Sequence, residues 1–228
     1  MTKFLTRLTL GLCLAATLTG CGREKVTGTG TEKQEVRNTA EFTGLNVNGN
    51  YAIAGSIASP QKVVIGSNEN ILPYITSSVS SDVLMIDQKS SVELTPTVEQ
   101  KIWFFTNEFN SLTLTGASQF QFLGLKTDKL NISLTGSHRL IFTGTAGNLH
   151  IVVHGNSDID AKKLLVENAD IEINGDSTVL LNPTKTLKVT INGNGKVVYY
   201  NKEPKIEKII NGSGQVISGF GGITKESE

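Results

Sequence analysis

Cysteine is nearly missing from this chain. Of its two copies, Cys13 lies inside an apolar leader and Cys21 closes it, so no second thiol remains downstream and stability has to come from packing rather than disulfides. Charge of one sign is missing too. The 21 Lys and Arg balance the 21 Asp and Glu, and removing a leader that carries Lys3 and Arg7 leaves about two net negative charges, which offers nucleic acid no basic face. Helical patterning is also missing: beyond the leader no apolar stripe of helical period persists. Alanine, methionine and arginine are sparse, whereas Thr, Ser, Asn, Gly, Val, Ile and Leu, the residues of strands and turns, are plentiful.

Residues 1–20 read as a secretory signal. Lys3 and Arg7 precede an apolar run from Leu8 to Leu18 and small residues before Cys21, and the run falls short of the roughly 20 residues that a spanning helix needs. The closing "LTGC" resembles the bacterial lipobox. That resemblance implies cleavage before Cys21, a diacylglycerol on its sulfur and an acyl chain such as palmitate on the new amino terminus; a plain secreted protein is the alternative. Several chains on one cysteine hold a protein durably on a membrane without crossing it. By the enterobacterial sorting rule, Gly22 in place of an aspartate points to the outer membrane. After Cys21, "GREKVTGTGTEKQEVRNTA" has almost no large apolar side chain, so residues 21–40 are expected to be the anchor and a flexible tether.

Residues 109–220 repeat. Gly116, Gly136, Gly155, Gly175, Gly193 and Gly212 are 20, 19, 20, 18 and 19 residues apart, in the phrases "LTLTGAS", "ISLTGSH", "IVVHGNS", "IEINGDS", "VTINGNG" and "KIINGSG". Apolar residues stand four and two positions before each of the first five glycines and four after it, from Leu112, Leu114 and Phe120 to Val189, Ile191 and Val197. Period-two alternation places these on one buried face and Thr113, Thr115, His154, Asn174 and Asn192 on the other. A near-constant period of this length marks a solenoid. The expected fold is therefore all-β, a parallel β-helix with rungs of 18–20 residues, each an extended stretch of about eleven residues that bends at its glycine, then a connection of about eight. An antiparallel β-meander or sandwich is the competing architecture.

Residues 41–108 carry the same language less regularly, in "FTGLNVNGNYAIAGS", "KVVIGSNENI" and "DVLMIDQK". They read as irregular first coils of one head domain, 41–220, with a separate small β-domain as the alternative. Residues 221–228 form a polar tail. The order of "FTGLNVNGNYAI", "VVIGSNENILPYITSSVSSDVLMIDQK", "SLTLTGAS" and "INGDS" resembles bacterial envelope proteins with the auto-transporter adhesin head domain, called the GIN domain. The likeness runs from Phe42 to about Phe220. It implies a β-helical fold and a surface or periplasmic location, and it brings no catalytic residues.

Candidate sites are few. Polysaccharide-cleaving β-helices need clustered acids on an outward face. Here in-register stacking would put Asp158 beside Arg139, and Asp170 between His150 and Lys188 with Glu207 beyond, a pattern of cross-rung pairing. His150 and His154 are four strand residues apart, roughly 13 Å, too far for one metal ion. "GSGQVISGFGG" has no following helix to make a phosphate loop. Asn174, Asn192 and Asn211 should form an outward column, with Asn156, Asp176 and Asn194 alongside, suited either to hydrogen-bonding an extended glycan or to a self-bonded amide ladder. The single tryptophan, Trp103, is expected in the core or an end cap, with a stacking platform as the other use. The expected function is non-catalytic binding or adhesion to a protein or glycan, without cofactor or metal. An envelope scaffold and a carbohydrate-active enzyme are the alternatives.

Overall fold

Alternation along each repeat becomes the inside and outside of a coil. A computed structural model describes residues 23–202 and 204–219. Leu112, Leu114, Ile132, Leu134, Ile151, Val153, Ile171, Ile173, Val189 and Ile191 are all buried, while the residues between them are half-buried or exposed.

The chain enters through β1 (Glu24–Thr27) and β2 (Glu32–Arg37), then forms β3 (Gly44–Gly49) and β4 (Ala52–Ile57). It detours through β5 (Lys62–Asn68), β6 (Ile75–Ser80), β7 (Val83–Gln88) and β8 (Val92–Thr95) and returns on β9 (Lys101–Thr106). The regular coils follow: β10 (Ser111–Gly116), β11 (Gln119–Gly136), β12 (Arg139–Gly155), β13 (Asp158–Gly175), β14 (Thr178–Asn192), β15 (Lys196–Tyr199), β16 (Lys205–Asn211) and β17 (Gln215–Ser218).

Three parallel ladders make the walls of a β-solenoid of about five turns. One runs through β7, β3, β10, the ends of β11 to β14, and β16. A second runs through β9, β4, the starts of β11 to β14, β15 and β17. The third joins the middles of the long strands, as at Leu125, Gly144 and Leu164. Parallel pairing throughout the repeats rules out the meander. The supposed connections are themselves strand, so β11 to β14 run for 15 to 18 residues, interrupted only by register shifts such as those at Phe122/Leu125 and Ala161/Leu165.

The glycines recur for two reasons at once. Gly136 has φ +119° and Gly155 φ +131°, a region that side-chain-bearing residues rarely adopt. At each, a Cβ would also drive into the carbonyl oxygen of the glycine one rung below, Gly116 or Gly136. The corner beyond each glycine is lined inside by buried Ser118, His138, Ser157 and Ser177. The Oγ of Ser157 accepts from the His138 N–H at 3.1 Å and that of Ser177 from the Ser157 N–H at 2.8 Å. Backbone donors that the bend takes out of the ladder are thus satisfied by the next rung.

His138 replaces a serine in this column. Its Nδ1 accepts from the Ser118 N–H at 3.1 Å, so the ring proton sits on Nε2, 3.1 Å from the Thr135 carbonyl oxygen. Burial pushes its pKa down from the usual histidine value, and the bond to Thr135 opposes the shift. The unfolded chain therefore takes up the proton first, so stability present above about pH 6.5 is lost as pH falls through the lower folded value. Thermal melts should show this slope in the wild type and a smaller one in His138→Ser; equal slopes would assign the effect to carboxylates alone.

At the amino-terminal end the parallel pattern stops. β5 pairs antiparallel with β9 and with β2, and β6 pairs antiparallel with β7, so the first two ladders finish against strands running the other way. This covers edges that would otherwise invite association. Residues 24–37, expected to be tether, contribute β1 and β2, and β1 lies parallel to β8. The physical reason is that β2 buries almost no side chain; it is held by backbone pairing from Glu32–Asn68 to Arg37–Val63. Asn68 fixes the turn between them, its Nδ2 donating to the Gly30 carbonyl at 3.2 Å and to Thr97 Oγ1 at 2.9 Å. The leader, Cys21, Gly22 and the polar tail lie outside the described residues.

Inside the first coils, Phe104 meets Phe42, Phe109, Phe120 and Phe122 at centroid distances of 5.4 to 6.3 Å. Phe109 stacks on Phe122 at 4.8 Å and 15°. Residues 41–108 are therefore joined to the repeats through one core.

Candidate functional site

Register places the acids beside bases. Arg139 approaches Asp158 at 3.8 Å, Lys162 approaches Asp160 at 3.3 Å, and Asp170 lies 3.9 Å from His150 and 3.3 Å from Lys188. Glu172 accepts from Asn174 Nδ2 at 2.9 Å, and Asp176 accepts from Asn194 Nδ2 at 3.0 Å. The acids of neighbouring rungs are distributed among these partners rather than facing one another. Among the described residues, no group of three or more His, Cys, Asp or Glu is placed to hold a metal ion.

The asparagine column forms as the spacing predicts, but its amides face each other. Asn192 Nδ2 donates to Asn174 Oδ1 at 2.7 Å, and Asn211 Nδ2 donates to Asn192 Oδ1 at 2.8 Å. Asn194 uses both its backbone N–H and its Nδ2 on Asp176. Asn156 stands apart, tied through its backbone N–H to the Gly136 carbonyl at 3.0 Å. A column bonded along its own axis has fewer groups left for a ligand. Asn192→Ala removes two of these bonds and should cost about 1–2 kcal/mol of stability at a water-exposed site, read as a lower urea midpoint with an unchanged slope.

A different constellation lies on the outer face of β9, β4, β11 and β12. Lys101, Ala52, Gln119 and Arg139 make one cross-strand row, and Trp103, Ala54, Gln121 and Ile141 the next. Their parity is opposite to buried Ile102, Ile53, Phe120 and Leu140. With strands about 4.8 Å apart, the small alanines of β4 leave a trough about 10 Å wide between walls rooted on β9 and β11. It encloses about 370 Å³, with Glu99 also in its lining.

Trp103 is held before any ligand arrives. Its indole lies over Gly66, where an added Cβ would stand 3.2 Å from Cζ3, and Lys101 Nζ sits 6.0 Å from the ring centroid. Lys101 Nζ bonds Glu32 Oε2 at 2.6 Å; that bond holds the carboxyl below and the ammonium above their usual ranges. Gln119 and Gln121 are exposed, and among the described residues neither their amides nor the indole N–H bonds another group of the protein. The expectation that Trp103 lies in the core is thus corrected: it is half-buried on the outer face, against Gly66 of β5 at the covered amino-terminal end. The signal was present: in "KIWFF" period two puts Lys101 and Trp103 opposite Ile102 and Phe104.

A family model described as "Putative auto-transporter adhesin, head GIN domain" matches residues 41–202. No curated protein sequence matches. Among solved structures, a putative adhesin from Bacteroides fragilis NCTC 9343 is similar at TM-score 0.68 and 18% identity, over 85% of this chain and 99% of its own. A putative adhesin from Parabacteroides merdae ATCC 43184 gives 0.56 and 17%, over 86% and 99%. A putative lipid binding protein from Parabacteroides distasonis ATCC 8503 gives 0.55 and 19%, over 86% and 99%. At these identities the likeness is one of fold.

Proposed function

The chain belongs to the family of the auto-transporter adhesin head GIN domain, and from that membership we infer that it is a lipid-anchored binding head of the bacterial cell envelope, working by surface contact without catalysis. The leader and "LTGC" support acylation at Cys21, and Gly22 supports the outer membrane as the address. The observation that carries the binding reading is the distribution of outward polar groups. Along the asparagine column they are tied to one another, Asp158, Asp160 and Asp170 are matched to bases, and Glu172 and Asp176 accept from asparagine amides. Over β4 two glutamine amides, which bond no other group of the protein among the described residues, stand across from Trp103, whose ring is held in place by Gly66 and Lys101. One structural relative is called a lipid binding protein; here the coil interior is occupied by stacked Phe, Leu, Ile and Val side chains, which favours an outer-surface ligand instead.

The test uses the mature lipoprotein in detergent micelles, screened against envelope polysaccharides and neutral and acidic oligosaccharides, with new reducing ends assayed in the same wells. Retention without product is the expected result. New reducing ends would overturn the non-catalytic reading, and absence of all glycan retention would move the function to a protein-binding scaffold. Palmitate label should enter the wild type and be lost in Cys21→Ser.

A further inference from the structure

We propose that the trough over β4 is a saccharide subsite that takes a pyranose ring of a neutral glycan, with Trp103 as its platform. This rests on the binding-head reading and assigns it a place and a ligand class. A pyranose ring presents a patch of C–H groups on its face and hydroxyls around its edge. The trough offers the complement: an alanine floor at Ala52 and Ala54, on one side Trp103, whose indole leans across onto Gly66 of β5 and presents its outer face as a shelf, and along the other side the amides of Gln119 and Gln121, each able to donate and accept. Sites of this kind combine apolar surface with a small number of polar groups that fix orientation. The indole is already seated on Gly66, so little ordering remains to be done on binding.

Charge selects among glycans. Lys101 bonds Glu32 at 2.6 Å and also feels the carboxylate of Glu99, and Arg139 lies 3.8 Å from Asp158, so both cations of the trough already face acids. A polyanionic sugar would meet no positive excess there, and a neutral one avoids the conflict. The contrast with the asparagine column is chemical. Both surfaces carry amides, but those of Asn174, Asn192 and Asn211 are bonded along the column, whereas Gln119 and Gln121 bond no other group of the protein among the described residues.

Trp103 is the single tryptophan, so its emission reports this site directly. The mature chain in micelles is titrated with cellohexaose, chitohexaose and mannohexaose, and with oligogalacturonate as the charged counterpart. A saturable change with a neutral oligosaccharide is expected, with Kd of about 10 µM to 1 mM. Gln121→Ala should weaken it about tenfold. Ala54→Leu, which fills the trough from the outer face, should abolish it while the melting temperature is kept. No response to any neutral oligosaccharide, or preference for oligogalacturonate, overturns the proposal. Glycan retention that survives Ala54→Leu and Gln121→Ala overturns this site while the binding-head reading stands; retention of no glycan at all removes both.

Discussion

Gly155→Ala should lower stability by at least about 3 kcal/mol, the sum of left-handed strain and a steric overlap that the coil cannot relax. Gly155 sits at φ +131°, and its missing Cβ would collide with the carbonyl oxygen of Gly136. That oxygen already accepts the Asn156 N–H at 3.0 Å, so moving it breaks a bond at the same corner. Each rung contacts only its neighbours, and a displaced corner therefore opens the interfaces above and below it. Gly124 supplies the control. It also has positive φ, +72°, but nothing lies within 4 Å of where its Cβ would be. Gly124→Ala should cost only about 1 kcal/mol. Urea unfolding of both variants measures the difference, and equal losses would refute the collision.

Deleting residues 22–40 should be the other severe change. The family match begins at residue 41, which makes a chain starting there an obvious choice of fragment. It would lose β2 and leave the edge of β5 bare from Val63 to Asn68. It would also strand Asn68, whose Nδ2 and Oδ1 both bond Thr97 but whose other amide hydrogen needs the Gly30 carbonyl. Lys101 would lose Glu32. The missing backbone pairing is worth on the order of 3–5 kcal/mol, and an open edge beside Val63 and Ile65 promotes association. Size-exclusion chromatography should show aggregated material and scanning calorimetry a lowered midpoint. A monomeric fragment melting with the full mature chain would show that β1 and β2 are dispensable.

The coil was legible because its inner residues obey period two and its glycines a period of 18 to 20. Leu112, Ile132, Ile151, Ile171 and Val189 align in sequence and in space. The third wall was not legible, since bulges between Phe122 and Leu125 and between Ala161 and Leu165 shift parity within a strand and disguise it as a connection. β2 was hidden for a different reason. Its "EKQEVR" has no buried face to advertise, because an edge strand can be held through its backbone alone. The asparagine column was placed correctly, yet its use depended on whether each Nδ2 meets the neighbouring Oδ1, which spacing does not state. Trp103 was misjudged because a bulky aromatic beside Phe104 and Phe105 suggests a core. Its parity said otherwise.

Order so close to the amino terminus sets how the molecule can move at a surface. β1 starts at Glu24, three residues past Cys21, a span of at most about 11 Å even fully drawn out. With Cys21 acylated, the stem is too short to let the coil roam. The protein would rock on a fixed foot, sweeping a small cone just above the headgroups, and the Trp103 trough on the first coils would travel with that foot. So anchored, the proposed trough would meet polymers that already lie against the bilayer and leave distant ones to diffuse in.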